Sequence, residues 1–383
     1  MMKFTLTAAA AAFAAQGAVA GGLDRSGQPI GIIFEQGNYA ELSFSSTTAN
    51  VTGTGVGVGA LPAGTAYGNV AGSFVQGGGG LKYDFSDAFS LALIFDQPYG
   101  ANIAYGGSPA ATELGGTSAT ANSTSITALG RYKFSDRFSV HGGLRYQTIN
   151  GNITLAGLAY GPLNGYNVAL SKNDALGYVI GGAFELPQYA ARVALTYNSQ
   201  ITHKLPTVET FGFGAVSLGA SADTEIVSPA SINLDVQTGI NEKTLLFGSV
   251  RYAKWSDLKI SPQFFDAAVD PGTPGSSISD LEDSFAYTVG IGRKINDNWS
   301  VSGVVGYEPE GTDDLVSPLA PTNGNYSLGL GVRYKDENVV VSFGVRQTWL
   351  GDARPETGTP DVARASFTDN TAFSAAFKIG FYF

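Results

Sequence analysis

Residues 326 to 335 put Tyr326, Leu328, Leu330, Val332 and Tyr334 on one side of an extended chain and Ser327, Gly329, Gly331, Arg333 and Lys335 on the other. Apolar residues with aromatic ends thus alternate with polar or small ones at a period of two. The same alternation runs through 298 to 308, where Trp299, Val301, Val305 and Tyr307 oppose Asn298, Ser300, Ser302 and Glu308. It runs also through 189 to 204, where Tyr189, Ala191, Val193, Leu195 and Tyr197 oppose Arg192, Thr196, Asn198, Gln200 and Lys204. A soluble sandwich alternates too, but in shorter strands and with a more charged outer face. Charged residues here are only 14%, against about 25% in soluble proteins. Beyond the first twenty residues no apolar run approaches the roughly 20 residues a spanning helix requires. A membrane protein without such helices is a closed barrel, since only closure satisfies every backbone polar group in lipid.

Six short polar breaks separate the alternating runs: 85–90, 134–139, 186–190, 240–244, 295–300 and 335–339. Most carry Ser, Asn or Asp followed by an acidic residue, the chemistry of tight hairpins. Long Gly/Ser/Pro/Thr-rich connections lie between them, around 107–122, 155–172, 206–226, 263–279, 309–322 and 351–367. Short turns at one end and long loops at the other are the pattern of outer-membrane barrels, periplasmic on the short side. Six turns join twelve strands, and one strand at each end brings the expectation to about fourteen. The last strand carries Phe377, Ile379, Phe381 and Phe383 on one face and is expected to close the barrel with that stripe toward lipid.

Residues 1–20 combine a lysine near the front, an alanine-rich middle and Ala18-Val19-Ala20, and read as a secretory signal peptide. Residues 21–37 then form a short N-terminal segment, and 38–383 the barrel. Cysteine is absent, which excludes disulfides, thiol catalysis and Cys-based metal sites. The net charge of −10 argues against a nucleic-acid partner.

Four stretches, "RVALTYNSQITHKLP" (192–206), "SINLDVQTGINEKTLLFGSVRYAKWSDLKI" (231–260), "FAYTVGIGRKINDNWSVSGVVGYEPEG" (285–311) and "YSLGLGVRYKDENVVVSFGVRQ" (326–347), resemble the FadL family of outer-membrane transporters for long-chain fatty acids and other hydrophobic compounds. Tyr252 to Ser256 and the proline before Ala230-Ser231 are the most family-like pieces. The resemblance implies a fourteen-stranded barrel plugged by an N-terminal hatch, with substrate captured outside and released sideways through a gap beside a kinked third strand. The chain departs from that pattern in a short hatch, residues 21–37, that lacks the family's Asn-Pro-Ala motif. It keeps an interruption at 95–102, where Pro98 cannot donate to a ladder and Gly100 packs no side chain, so a lateral exit is expected there.

A fatty acid requires an apolar groove for its tail and a cation for its carboxylate. On the lumen face the alternation places Arg145, Arg192, Lys204, Arg251, Arg333 and Arg346, with Glu185, Asp235 and Glu308 as the acids. Most of these are expected to fill the barrel as an ion-pair network. Arg145, Lys204, Arg251 and Arg346 lie farther from the short turns and are the ligand candidates, with Trp255 as apolar wall and Lys259 toward the loop end of the same hairpin. The loop at 155–172, with its Leu, Tyr and Val, is expected to line the mouth or fold over the lumen.

The reading is therefore passive uptake of a hydrophobic compound across the outer membrane, without a cofactor. Outer-membrane lipid receives the cargo, and the barrel-assembly machinery engages the strand ending at Phe383. A nonspecific porin and a structural or adhesive surface barrel are the alternatives. Catalysis is disfavoured, because His141 and His203 fall on neighbouring hairpins at different heights, His203 at what reads as a solvated strand end.

Overall fold

The computed structural model describes residues 23–57, 63–272, 275–358 and 360–383. The expected signal peptide lies outside the described residues. The chain forms a closed antiparallel barrel of fourteen strands. These are β1 (Tyr39–Asn50), β2 (Phe74–Asp84), β3 in two pieces (Phe89–Asp96 and Gly100–Ala104), β4 (Ser118–Lys133), β5 (Phe138–Leu155), β6 (Tyr166–Leu186) and β7 (Ala191–Asn198). The second half comprises β8 (Ser231–Asn241), β9 (Thr244–Ala253), β10 (Ser284–Lys294), β11 (Trp299–Glu308), β12 (Asn325–Asp336), β13 (Val339–Leu350) and β14 (Thr371–Tyr382). Closure is made by β14 against β1, in unbroken register from Tyr39↔Tyr382 to Asn50↔Thr371. No spanning strand is left with a free edge at that seam, the condition lipid imposes.

Alternation decides what each face meets. On β12 Tyr326, Leu328 and Leu330 are exposed outward, while Ser327 and Arg333 are buried inward. On β14 Phe373, Phe377 and Phe381 point out, whereas Lys378 points in and pairs with Glu41 at 3.1 Å. Aromatic rings gather at both rims, as expected where a barrel wall meets the two interfaces. Phe85, Phe134, Trp299 and Phe383 mark the short-turn end. Tyr252, Phe285, Tyr287, Tyr307 and Tyr326 stack in a row toward the loop end, with neighbouring centroids 4.8 to 6.5 Å apart.

The six short turns occur at the expected breaks, and the long loops pack into a roof above the barrel. Its core includes Tyr67, Tyr105, Leu114, Leu155, Tyr166, Val168, Leu170, Phe265 and Phe367. Two buried carboxylates pin this roof. Glu113 accepts hydrogen bonds from the Tyr67 hydroxyl at 3.0 Å and the Gly57 amide at 2.8 Å. Burial, aided by that carboxylate, pushes the Tyr67 hydroxyl well above the ordinary tyrosine range, so it stays a donor. Glu209 accepts from the Tyr166 hydroxyl at 2.6 Å and from the amides of Phe264 and Phe265, thereby holding the first turn of the helix Gln263–Val269.

Three expectations are corrected here. Residues 189–204 are not one strand. β7 stops at Asn198, and Ile201–Leu205 forms a separate ladder with Thr224–Ser228. At the break Ser199 replaces part of the backbone ladder, its hydroxyl accepting from the Tyr178 amide at 2.9 Å. The irregularity inverts parity, so Ile201, His203 and Leu205 turn inward and Lys204 outward. His203 is accordingly fully buried, 3.1 Å from Gln147 Oε1, and not solvated. Finally, Tyr166, Val168 and Leu170 are buried residues of β6 and not part of an open loop, leaving 156–165 as the connection.

Candidate functional site

Residues 23–37 lie inside the barrel. Leu23 to Ser26 run extended along the interruption of β3: the Arg25 amide donates to Pro98 O at 2.8 Å and the Gly100 amide to Leu23 O at 3.0 Å. Gly27 (φ 65°) and Gln28 (φ 55°) then reverse the chain, a left-handed pair that costs Gln28 some strain. The Gln28 side chain accepts from Ser231 Oγ at 2.9 Å and from Arg251, which secures the turn against the wall. Ile30, Ile32 and Ile33 pack on the inward side chains of Ala92, Ile94, Leu129 and Val179. Phe34 sits beneath two guanidinium groups, Arg192 at 4.2 Å and Arg131 at 4.6 Å from its ring centre.

The cations that the strands carry inward are engaged by neighbours. Arg251 donates to Asp24 Oδ2 at 2.6 Å, Asn233 Oδ1 at 2.7 Å and Ser231 Oγ at 2.9 Å. Arg145 donates to Thr127 Oγ1 and Asn198 Oδ1, both at 2.9 Å. Arg131 pairs with Glu185. Arg346 is buried and lines a cavity of about 180 Å³ between residues 26–34 and β8 to β12, whose walls also carry Arg192, Asp235 and Arg251. Lys204 and Lys259 are not lumen groups. Lys204 faces outward, and Lys259 stands exposed in the loops, 3.4 Å from Asp280.

Above Leu23 and below the roof is a second cavity, of about 120 Å³, of different character. Leu23, Ala101, Ala121, Leu205, Ile226 and Trp255 are among its walls, and no charged side chain lines it. Trp255 is only 2% exposed and meets Tyr99 edge to face at 5.3 Å. Of the six ligand candidates, Trp255 alone reaches this space. Gly100 lines it as well.

Beside it the wall is incomplete. The β2–β3 ladder extends only from Asp84↔Ser90 to Gly79↔Phe95, and contact resumes above through Ala71↔Ile103 and the Gly72 amide to Asn102 O at 2.8 Å. Between these, Phe74 to Gly78 pair with β1 on one side and with no strand on the other, among the described residues. Gln97 spans the lower part: its Oε1 accepts from the Gly77 amide at 2.9 Å, and its carbonyl from Gln76 Nε2 at 3.1 Å. A cavity of about 270 Å³ under residues 25–36 extends to this place and to Phe44 and Phe95, whose rings are exposed on the lipid side. Backbone left unpaired at membrane depth is tolerable only where it borders such a space. Asp24, Arg25, Phe74 and Gln97 escaped sequence reasoning. One signal was available: Arg25 is the single cation in 21–37.

The profile of a family described as outer membrane protein transport protein (OMPP1/FadL/TodX) matches residues 3–376. Among solved structures, a FadL homologue from Pseudomonas aeruginosa is similar over 93% of this chain and 92% of its own, with a TM-score of 0.71 and 15% identity. The Pseudomonas putida toluene transporter TodX is similar over 97% and 96%, with a TM-score of 0.66 and 14% identity. For the Ralstonia pickettii toluene transporter TbuX the figures are 100%, 99%, 0.62 and 14%. At such identities the structural likeness is one of fold. No curated protein matches the chain by sequence.

Proposed function

The chain belongs to the OMPP1/FadL/TodX family of outer-membrane transport proteins, channels for hydrophobic compounds and not enzymes, and within that family we propose that its cargo is a small uncharged hydrocarbon of about one ring. The observation that carries this is the apolar cavity above Leu23, which no charged side chain lines. A cavity of roughly 150 Å³ with apolar walls holds benzene, so the space here matches a molecule of that size. Burying its ring gains about 25 cal/mol per Å². A carboxylate in the same place would lose its hydration and find no cation among the lining residues, a loss of several kcal/mol. Arg251 and Arg145 already satisfy Asp24 and Asn198, and Lys204 and Lys259 lie elsewhere.

The route runs from the roof into this cavity, past the segment Leu23–Ser26, and out through the gap between β2 and β3 into the bilayer. Movement is passive, driven by the partition of the cargo into lipid. The test is uptake of labelled toluene and labelled oleate by Gram-negative cells with and without the protein. Protein-dependent uptake of toluene but not oleate is expected. Oleate uptake without toluene uptake overturns the reading in favour of long-chain fatty acids, and large steady ion conductance in planar bilayers overturns it in favour of a porin.

A further inference from the structure

Arg25 stands where the apolar cavity and the wall gap adjoin. Its guanidinium carbon lies 4.0 Å from the centre of the Phe74 ring, on the unpaired stretch of β2. The same group fills the space beside Gly100, where a Cβ would come within 2.4 Å of it. Gly100 lines the apolar cavity, whereas Arg25 lines the cavity that reaches Phe44 and Phe95 on the lipid side. Among the described residues no carboxylate forms an ion pair with Arg25, and its buried Nε has no hydrogen-bond partner. A cation so placed contributes little to holding the fold. It is retained in the passage by one face-on ring and by the backbone bonds of its neighbours to Pro98 and Gly100.

Resting on the route proposed above, we infer that Arg25 is the residue that closes the lateral passage and sorts what leaves by it. A neutral molecule has only to slide the guanidinium off Phe74. An anion that reaches the same point pairs with the free guanidinium and is held there. Arg25 is thus a specificity-determining residue for release, separate from the capture cavity it does not line.

The chain has no cysteine, so an Ala101→Cys thiol in the capture cavity is unique. In proteoliposomes this thiol is exposed to pyrenylmaleimide dissolved in the bilayer, with Arg25 intact or in an Arg25→Ala background. Labelling is expected to quicken about five-fold without Arg25, the shift that loss of one cation–π stack produces. Phe74→Ala, which removes the other half of the stack, should quicken it likewise with Arg25 in place. Equal labelling rates in barrels that remain heat-modifiable overturn the inference. Toluene uptake by cells is measured on the same proteins without the added cysteine, and it should rise with labelling. If labelling differs while neither protein takes up toluene, the hydrocarbon reading fails and the closing role of Arg25 stands.

Discussion

Asp24 and Arg251 meet at 2.6 Å inside the barrel although 227 positions separate them in the chain. Both are buried, and Arg251 also holds Gln28, so one guanidinium ties both ends of the turn Asp24–Gln28 to β9. Asp24→Ala leaves that guanidinium without its counter-ion, a defect of about 3–5 kcal/mol in comparable buried pairs. The strands do not depend on the pair. The expected outcome is a barrel of normal heat-modifiability whose N-terminal segment is cut faster by added protease and whose ion conductance rises. An unchanged cleavage rate would show that residues 23–37 are held by their other contacts.

Filling the capture cavity should abolish capture. Ala121 lines it, and Ala121→Phe occupies much of a space near 120 Å³ at an overpacking cost of about 1–3 kcal/mol. Toluene binding, followed by tryptophan fluorescence in detergent, is expected to weaken at least about ten-fold, which is 1.4 kcal/mol. Binding within two-fold of the parent would place the ligand elsewhere.

Gly100→Trp is expected to impair both steps. The new side chain must displace the Arg25 guanidinium and also enter the capture cavity that Gly100 lines. Toluene binding and uptake should therefore fall together. Intact binding with blocked uptake would mean that the indole points only into the wall gap.

Assembly should depend on the strand that closes the barrel. Phe383 is exposed on the rim of the seam, its amide donating to Asn38 O at 3.2 Å. Phe383→Ser is expected to lower the amount of folded protein in the outer membrane while the molecules that do fold transport at the parent's rate. Normal membrane levels of this variant would count against a role in recognition by the assembly machinery.

The roof has its own weak point at Glu209. Glu209→Ala leaves the Tyr166 hydroxyl and two helix amides without their acceptor, about 1–3 kcal/mol per unsatisfied buried group. Hydrogen exchange over 260–270 should accelerate by more than ten-fold, with the strands β8 to β14 unaffected. Protection equal to the parent's would assign the docking of that helix to Phe265 packing alone.

Much of this architecture is local and was therefore readable. A period of two survives along any strand whatever its neighbours do, so Leu328, Leu330, Arg333 and Arg346 could be assigned to their faces in advance. The same rule misplaced Lys204, because two residues, Ser199 and Gln200, leave the ladder, and parity carries no memory across such a break. Lys259 was misplaced for a related reason. Beyond Ala253 the chain turns through Trp255–Asp257 and is no longer a strand.

Alternation and turn chemistry specify a barrel, its strand number, its turns, the lipid-facing stripe ending at Phe383 and the interruption at Pro98, since each depends on residues a few positions apart. Tertiary structure alone decided the interior. Whether Arg251 binds cargo or Asp24 depends on where β9 stands once β1 and β14 have closed the ring and on how far residues 23–37 reach into it. The partner that each charge on the strands' inner face finds is whichever one that closure brings near, and loop and chain-end contacts across hundreds of positions leave no period for a sequence to display. What remained without a charged wall was the space above Leu23.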